Sequence, residues 1–431
     1  MNNLKRGVIK IKPVYTGIYH YKDFYGSVFA PDRSLLGKGT IPVSASKVEK
    51  VEKMAREMVK EFKKGLKVDF VEVKEPLVIK EQKDLRRLPV ELSYDVDALL
   101  VTGGTYLERY TLSQYKLPVI ESSVSSNFLS ALRVKKFLKQ SRFLYIGEIP
   151  SFTAPSGPWD FFALEKRLGC RVRHIETNEF YRHFDYFSEG EVKKELDNWK
   201  KNFDRIVKVS KEELMNATRV YLALRHLCFR EDANGVAINC GRLTEERPVV
   251  PCLAFDRLID EGIMCACEGD ITAMLSSLIL HAVSGQSVLM GNFNVVPRTK
   301  DEITISHGII PLSMANTGFI IRDYHGRTFG VTGYAEVKTE PMTLLNIDKS
   351  LNKVCVIEGA IKDSEDGINY YADGKDRGMY CRIAIYMNVD GDIKKIPEII
   401  VGSQHISMTF GHWLHALKKA GSLLGFEVQH P

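Results

Sequence analysis

Hydrophobic positions in this chain switch between a two-residue and a helical period, and the switching divides the sequence into three blocks. The opening MNNLKRGVIKIKPVY alternates basic and apolar residues as a strand does, and KVEKVEKMAREMVKEFKKG (47–65) reads as a basic helix. The strand-like VDFVEV follows, and a further strand, DALLV (97–101), meets the turn TGGT at 102–105. LPVIESSV (117–124) is another apolar strand ending in polar residues, with the helix-like FLSALRVKKFLKQ behind it. Strands alternating with helices predict parallel βαβ units.

A second start appears at RFLYIGE (142–148), followed by a loop with Pro150, Pro155, Gly157 and Pro158 and the helical DFFALEKRLG. The strand RVRHIE, the amphipathic stretch GEVKKELDNWKKNFDRIVKVSKEEL, and strands around GVAINC and GIMCACE complete a second α/β pattern. Beyond about residue 286 the texture changes to short β-rich segments, SVLMGNFNVV, EITISHGI, GFIIRDY, NKVCVIEGAI, YCRIAIYMNV and PEIIVGS, before an amphipathic HWLHALKKAGSLLG. Such spacing of turn signals suggests an antiparallel sheet or barrel. The expected architecture is α/β: two Rossmann-like, doubly wound domains (1–140 and 141–286) and a β-rich, barrel-like C-terminal domain (287–431).

The junction CACEGD (265–270) carries candidate chemistry. Asp270 stands at an N-cap position, Ile271, Met274, Leu275, Leu278 and Ala282 follow helical spacing, and Gly285 is the stop signal. Glu268 therefore lies between a strand end and a helix start, where ligands gather in parallel sheets. It either complements the helix dipole or has a partner such as a metal ion, since an unpaired buried carboxylate is costly.

Composition narrows the classes. At 431 residues the chain exceeds what one core supports, so two or three domains are expected. A net charge of +6, with 60 Lys and Arg interspersed among 54 Asp and Glu, does not indicate nucleic acid. The N-terminus lacks the apolar core of a signal peptide, and ITAMLSSLILHAV is too short and polar to span a bilayer. A cytoplasmic location without membrane attachment is expected. Eight scattered cysteines suggest reduced, buried thiols, and Cys265-Ala266-Cys267 has no second pair at zinc spacing.

CEGDITAMLSSLILHAVSGQSVLMGNFNVV, then ITISHGIIPLSM, then VGSQHISMTFGHW, preceded by RPVVPCLAFDRLIDEGIMCA, together resemble the L-fucose and L-arabinose isomerase superfamily, in particular its fucose-isomerase-like branch. The resemblance covers roughly the last two hundred residues and extends to the first half as matching domain order. It implies a metal-dependent aldose–ketose isomerase acting on a sugar or sugar derivative in carbohydrate metabolism. It further implies a divalent metal, typically Mn2+ with Mg2+ or Co2+ possible, and a homo-oligomer, a trimer or hexamer. Glu268 corresponds to a metal-ligating carboxylate that is also the acid/base, His307 and His405 to imidazole ligands, and Gln404 to a sugar-facing position.

Moving a carbonyl between adjacent carbons through an ene-diolate asks for an acid/base near each carbon and a cation at the developing oxyanion. The resemblance breaks at one place: the second acid expected in the strand after the helix is replaced by Gly291 and Asn292 in LMGNFN. Asn292 can offer a carbonyl oxygen to a metal and cannot accept a proton. The nearest acids, Asp301 and Glu302, lie in what reads as a turn. Two alternatives therefore stay open: a metal-dependent aldolase, epimerase or decarboxylase of a sugar acid, or a sugar-binding homologue without catalysis.

Among other residues, Thr105 of TGGT could wrap a sugar hydroxyl or simply belong to a tight turn, and Trp159 could stack on a sugar ring or anchor the core. His412 and His415 have helical i, i+3 spacing and read as a solvated pair. His20, His281 and His325 read as structural, while His174 and His183 could line a pocket. No dinucleotide fingerprint, Walker lysine or G-x-S-x-G elbow is present, so no nucleotide cofactor is expected.

Overall fold

A computed structural model describes residues 6–16, 45–79, 82–92, 95–103, 112–149, 157, 160–294, 302–327, 329–367 and 381–431. The chain divides into two compact units: residues 8–136, and residues 1–7 together with 137–431. No helix among the described residues is long and apolar enough to cross a membrane.

In the first unit, β1 (Ile9–Thr16) lies between β2 (Val71–Val73) and β3 (Leu77–Ile79) on one side and β4 (Ala98–Gly103) on the other, with β5 (Val119–Ile120) beyond β4. Every pairing is parallel. Ile9, Ile11 and Val14 of β1 are fully buried, and the Lys12 ammonium reaches the Glu91 carboxylate at 2.5 Å. The helix Ala45–Gly65 buries Ala55, Val59 and Phe62, one stripe of its surface.

The second unit begins with a four-stranded parallel sheet of β6 (Arg142–Ile146), β7 (Arg171–Ile175), β9 (Gly235–Ile238) and β10 (Met264–Ala266), ordered β10-β9-β6-β7. Helix boundaries follow local chemistry. Asp160 caps Phe161–Leu168 and Gly169, at φ 78°, ends it. Ser188 and Ser210 each form a capping box, with Glu191 and Glu213, for Glu189–Trp199 and Lys211–Arg230. Between those helices the amphipathic stretch contains β8 (Phe203–Val207), which the charge pattern conceals. It pairs in parallel with β13 (Phe319–Asp323), itself antiparallel to β14 (Val331–Tyr334).

The remaining strands close a barrel. β11 (Leu289–Asn294), β12 (Glu302–His307), β15 (Pro341–Ile347), β16 (Lys353–Asp366), β17 (Ile383–Val389) and β18 (His405–Phe410) join in the cyclic order β15-β18-β11-β12-β17-β16. β15 pairing with β16 completes the ring, all neighbours are antiparallel, and β19 (Glu427–Gln429) adds to β16 in parallel. PEIIVGS, expected as a strand, is not one: Ile396–Ile399 is a helical turn with Pro397 in its first positions. Mixed α/β architecture with parallel sheets and a β-barrel is thus the fold.

Asp256, on the helix Cys252–Asp260, is buried, and its Oδ1 accepts the Ile310 N–H at 2.5 Å. Burial pushes its carboxyl well above the ordinary range despite that bond. The unfolded chain releases this proton near pH 4 while the fold retains it, so the fold loses stability as pH rises toward the raised folded value. Asp256→Asn, which keeps the oxygen and cannot ionise, is expected to be more stable than the parent at pH 7. Urea midpoints at several pH values should show that advantage shrinking toward pH 4.

Candidate active site

β10 ends at Ala266, and the chain turns through Cys267, Glu268 and Gly269 into the helix Ile271–Ser284. Glu268 has φ 55° and Gly269 φ 62°, two consecutive left-handed residues. Glycine suits 269 twice over, because a Cβ there would also stand 2.6 Å from the Tyr145 hydroxyl. Glu268 has no such freedom, and the left-handed conformation costs an L-residue about 1–2 kcal/mol. The Gly269 N–H, bonded to the Ile238 carbonyl of β9 at 2.6 Å, holds the turn in place. The Glu268 side chain is 54% exposed, so it is presented to solvent at the carboxyl edge of the sheet rather than buried.

Asp270 anchors this corner. Fully buried, it accepts the Ala273 N–H at 2.9 Å as the helix cap, the Thr272 hydroxyl at 2.7 Å, the Ser403 hydroxyl, and Nδ1–H of His405 at 2.8 Å. Burial alone would raise the Asp270 carboxyl, but the bonds from His405 and Ser403 hold it below its ordinary value. Burial likewise works to lower His405, and the Asp270 carboxylate outweighs it, leaving the imidazole above its usual range. Since a carboxylate only accepts, Nδ1 of His405 donates, and the buried Nε2 lies 3.9 Å from Glu268 Oε2.

His307, the last residue of β12, sets its ring 5.7 Å from that of His405 at 67°. Burial pushes its pKa well below the ordinary value, so it stays neutral with a lone pair to offer. Asn292 lies directly across from His405 on the β11–β18 ladder, and its Nδ2 donates to Cys381 Sγ at 3.8 Å. His405 Nε2, His307 Nδ1 and Asn292 Oδ1 are all buried without a hydrogen-bond partner. Three orphaned atoms beside one exposed carboxylate form a nitrogen and oxygen donor set of the kind a divalent cation accepts. Asp270 behind His405 fixes the ring as carboxylates do for metal-bound histidines. Among the described residues, however, no three His, Cys, Asp or Glu side chains are gathered as closely as a metal centre requires.

The missing second acid has a packing reason. A Cβ at Gly291 would stand 2.5 Å from Ile305 Cγ2 and 3.3 Å from the Ser306 carbonyl oxygen, so the Ile305 side chain fills the space a carboxylate would need. Glu302 offers no substitute: it opens β12, at the opposite end from His307, is buried, and bonds Lys362 at 3.0 Å. The turn expected there is strand.

Of the other candidates, Gln404 is exposed immediately before β18, while Thr105, Trp159, Asp301 and His20 fall outside the described residues. His174 bonds the Gly147 carbonyl at 2.8 Å and His183 stacks on His226 at 5.2 Å. His412 and His415 are exposed, the former 3.6 Å from Glu358. His281 bonds the Gln286 carbonyl at 2.8 Å. His325, read as structural, is half-buried close to this site, for a Cβ on Gly308 would lie 3.9 Å from its Nε2. All eight cysteines are free. Cys267 touches Cys240 and Cys252, and these contacts and burial hold its thiol well above the ordinary pKa.

Residues 160–285 match the L-arabinose isomerase central domain family. That segment ends at the C-cap of the Asp270-capped helix and contains Glu268. The match supports a likeness to arabinose and fucose isomerases, at family level and without separating their branches, and it points to a sugar isomerase. No curated protein matches the chain.

Two stability predictions follow from this packing. Gly291→Ala should cost about 1–3 kcal/mol by overpacking, and Ile305→Ala should make the second change less than additive in a chemical-denaturation double-mutant cycle. Asp270→Ala should cost about 2–4 kcal/mol, combining a lost helix cap with buried donors left unpaired; Asp270→Asn, which retains the cap, should cost less.

Proposed function

We propose that this protein is a metal-dependent aldose–ketose isomerase of a sugar or sugar derivative, with Glu268 as the proton-transferring group. The observation that supports the reading is that His405 lies 3.9 Å from Glu268 and has its ring 5.7 Å from that of His307, with buried polar atoms of His405, His307 and Asn292 left unpaired. The match to the arabinose isomerase central domain supports the same reaction class.

In this proposal Glu268, His307, His405 and the Asn292 carbonyl oxygen hold a divalent cation, Mn2+ before Mg2+ or Co2+. When bound, the cation supplies a Lewis acid that polarises the substrate carbonyl and steadies the ene-diolate oxygens. Glu268, presented at the strand end and exposed, takes the proton from the hydroxyl-bearing carbon; a second acid/base, to which no residue is assigned, protonates the neighbouring carbon, and the hydroxyl proton passes to the former carbonyl oxygen. Asp270 keeps His405 from rotating, and neutral His307 offers nitrogen without adding positive charge. Gln404, Thr105 and Trp159 are proposed sugar contacts. A cytoplasmic homo-oligomer and membership of the fucose-isomerase-like branch belong to the same proposal.

The Ile305 packing against Gly291 favours a second reading, in which a single base serves aldol cleavage, epimerisation or decarboxylation of a sugar acid. Products separate the two. Incubation with a panel of pentoses, hexoses and deoxysugars is expected to yield ketoses; loss of carbon or inversion at one stereocentre would select the single-base reaction. Glu268→Gln is expected to lower turnover at least about a thousandfold while leaving the circular dichroism and melting temperature near those of the parent. Retained turnover in that variant removes Glu268 from the mechanism.

A further inference from the structure

The hairpin between β13 and β14 brings a further proton donor to the candidate site. Its tip is a tight turn, Tyr324-His325-Gly326-Arg327, closed by the Arg327 N–H on the Tyr324 carbonyl at 2.8 Å, with His325 at φ 51° and Gly326 at φ 72°. A Cβ on Gly330 would stand 2.8 Å from Val250 Cγ2 and 3.0 Å from Tyr324 Cβ, so the hairpin packs against the segment that leads into the helix Cys252–Asp260. Cys252 in turn touches Cys267, the residue before Glu268. Towards β12, His325 Nε2 and Cys252 Sγ each lie 3.9 Å from where a Cβ would stand on Gly308, the residue after His307. The tip is thus bounded by neighbours of Glu268 and of His307.

Two titratable groups sit on this tip, and burial acts on them in opposite directions. It lowers His325 to about 4, so that imidazole is neutral and has no cationic proton to give. Burial first, and then the thiols of Cys252, Cys240 and Cys267 and the Glu268 carboxylate, push the Tyr324 phenol above its ordinary range. Tyr324 therefore keeps its proton. Its half-buried ring is held with its centroid 4.2 Å from that of His325 and 6.2 Å from that of Phe329, and among the described residues its hydroxyl has no hydrogen-bond partner. An uncommitted phenol within electrostatic reach of an exposed carboxylate separates donor from acceptor, as acid/base chemistry on adjacent carbons requires.

We propose that Tyr324 is the second acid/base, an inference that rests on the isomerase reading above. In the aldose-to-ketose direction Glu268 takes the C2 proton, and the C–H electron pair becomes the C1–C2 double bond. The carbonyl pair at C1 moves to O1, which receives the hydroxyl proton of O2. The O2 pair then re-forms a carbonyl at C2, and the C1–C2 π pair takes the proton of the Tyr324 hydroxyl at C1. Tyr324 is left as phenolate and Glu268 as carboxylic acid. Water returns a proton to the first and accepts one from the second, so the cycle balances without an oxidant or reductant.

The test incubates full-length, Mn2+-loaded protein with the panel of pentoses, hexoses and deoxysugars in D2O and follows two signals by NMR. Exchange of the C2 proton in unreacted aldose needs Glu268 alone; ketose carrying deuterium at C1 needs Tyr324 as well. Tyr324→Phe loses only the hydroxyl and keeps the ring beside His325. It is expected to form ketose at least about a hundredfold more slowly than the parent while C2 exchange continues within about threefold of the parental rate. Glu268→Gln should lose both signals. Ketose formed by Tyr324→Phe at the parental rate, or C2 exchange lost together with ketose in that variant, would overturn the assignment and leave the isomerase reading standing. A parent that forms no ketose from any sugar of the panel would overturn both.

Discussion

A single buried carboxylate, Asp270, joins the two halves of the candidate site. It caps the helix that leaves the parallel sheet, and it also accepts hydrogen bonds from Ser403 and His405 at the start of a barrel strand. Burying an anion is expensive unless it is fully bonded, and four donors satisfy it here. Because Oδ1 takes the helix donors, Thr272 and Ala273, and Oδ2 the barrel donors, Ser403 and His405, one carboxylate fixes the Glu268 turn and the His405 ring relative to each other. The contact continues as a polar seam along the helix: Ser277 meets Ser407 at 3.0 Å, the Ser407 hydroxyl donates to the Ala273 carbonyl at 3.0 Å, and Ser284 approaches Thr409 at 3.5 Å. A helix buried on nearly every face thus has a preferred register on β18 that apolar packing alone would leave loose.

What could be read in advance was whatever depends on neighbours in sequence. The cap at Asp270, the helical spacing behind it and the stop at Gly285 are local chemistry, and the helix runs Ile271–Ser284 between them. The alternating barrel strands were equally visible. The Asp270–His405 bond was not, since the partners are 135 residues apart, and Asp270 read as nothing more than a cap. β8 escaped because FDRIV is half-exposed and charged, its strand character coming from a parallel partner more than a hundred residues away. Ile396–Ile399 failed in the opposite sense, an apolar run whose proline favours a helical start. The sequence displays the absence of an acid at 291; only the cross-strand position of Ile305 explains it.

The chemistry of the site is a division of labour by environment. Glu268 is exposed and held in a backbone conformation that glutamate does not favour, while His307 and His405 are buried, one kept neutral and the other braced by a carboxylate. Strain retained at such a place suggests a position fixed for function. Burial holds the Cys265 thiol, and contacts with Cys240 and Cys252 together with burial the Cys267 thiol, well above the ordinary range, and the oxygen and nitrogen donors suit a hard or borderline cation.

The central claim is that Glu268, His307 and His405 serve one cation. Manganese titration followed by electron paramagnetic resonance, on the parent and on Glu268→Gln, His307→Asn and His405→Asn, measures this directly. The account predicts one tight Mn2+ per chain, with affinity reduced at least about tenfold by each substitution. Absence of stoichiometric Mn2+ in the parent, or unchanged affinity when any of the three is replaced, would contradict it.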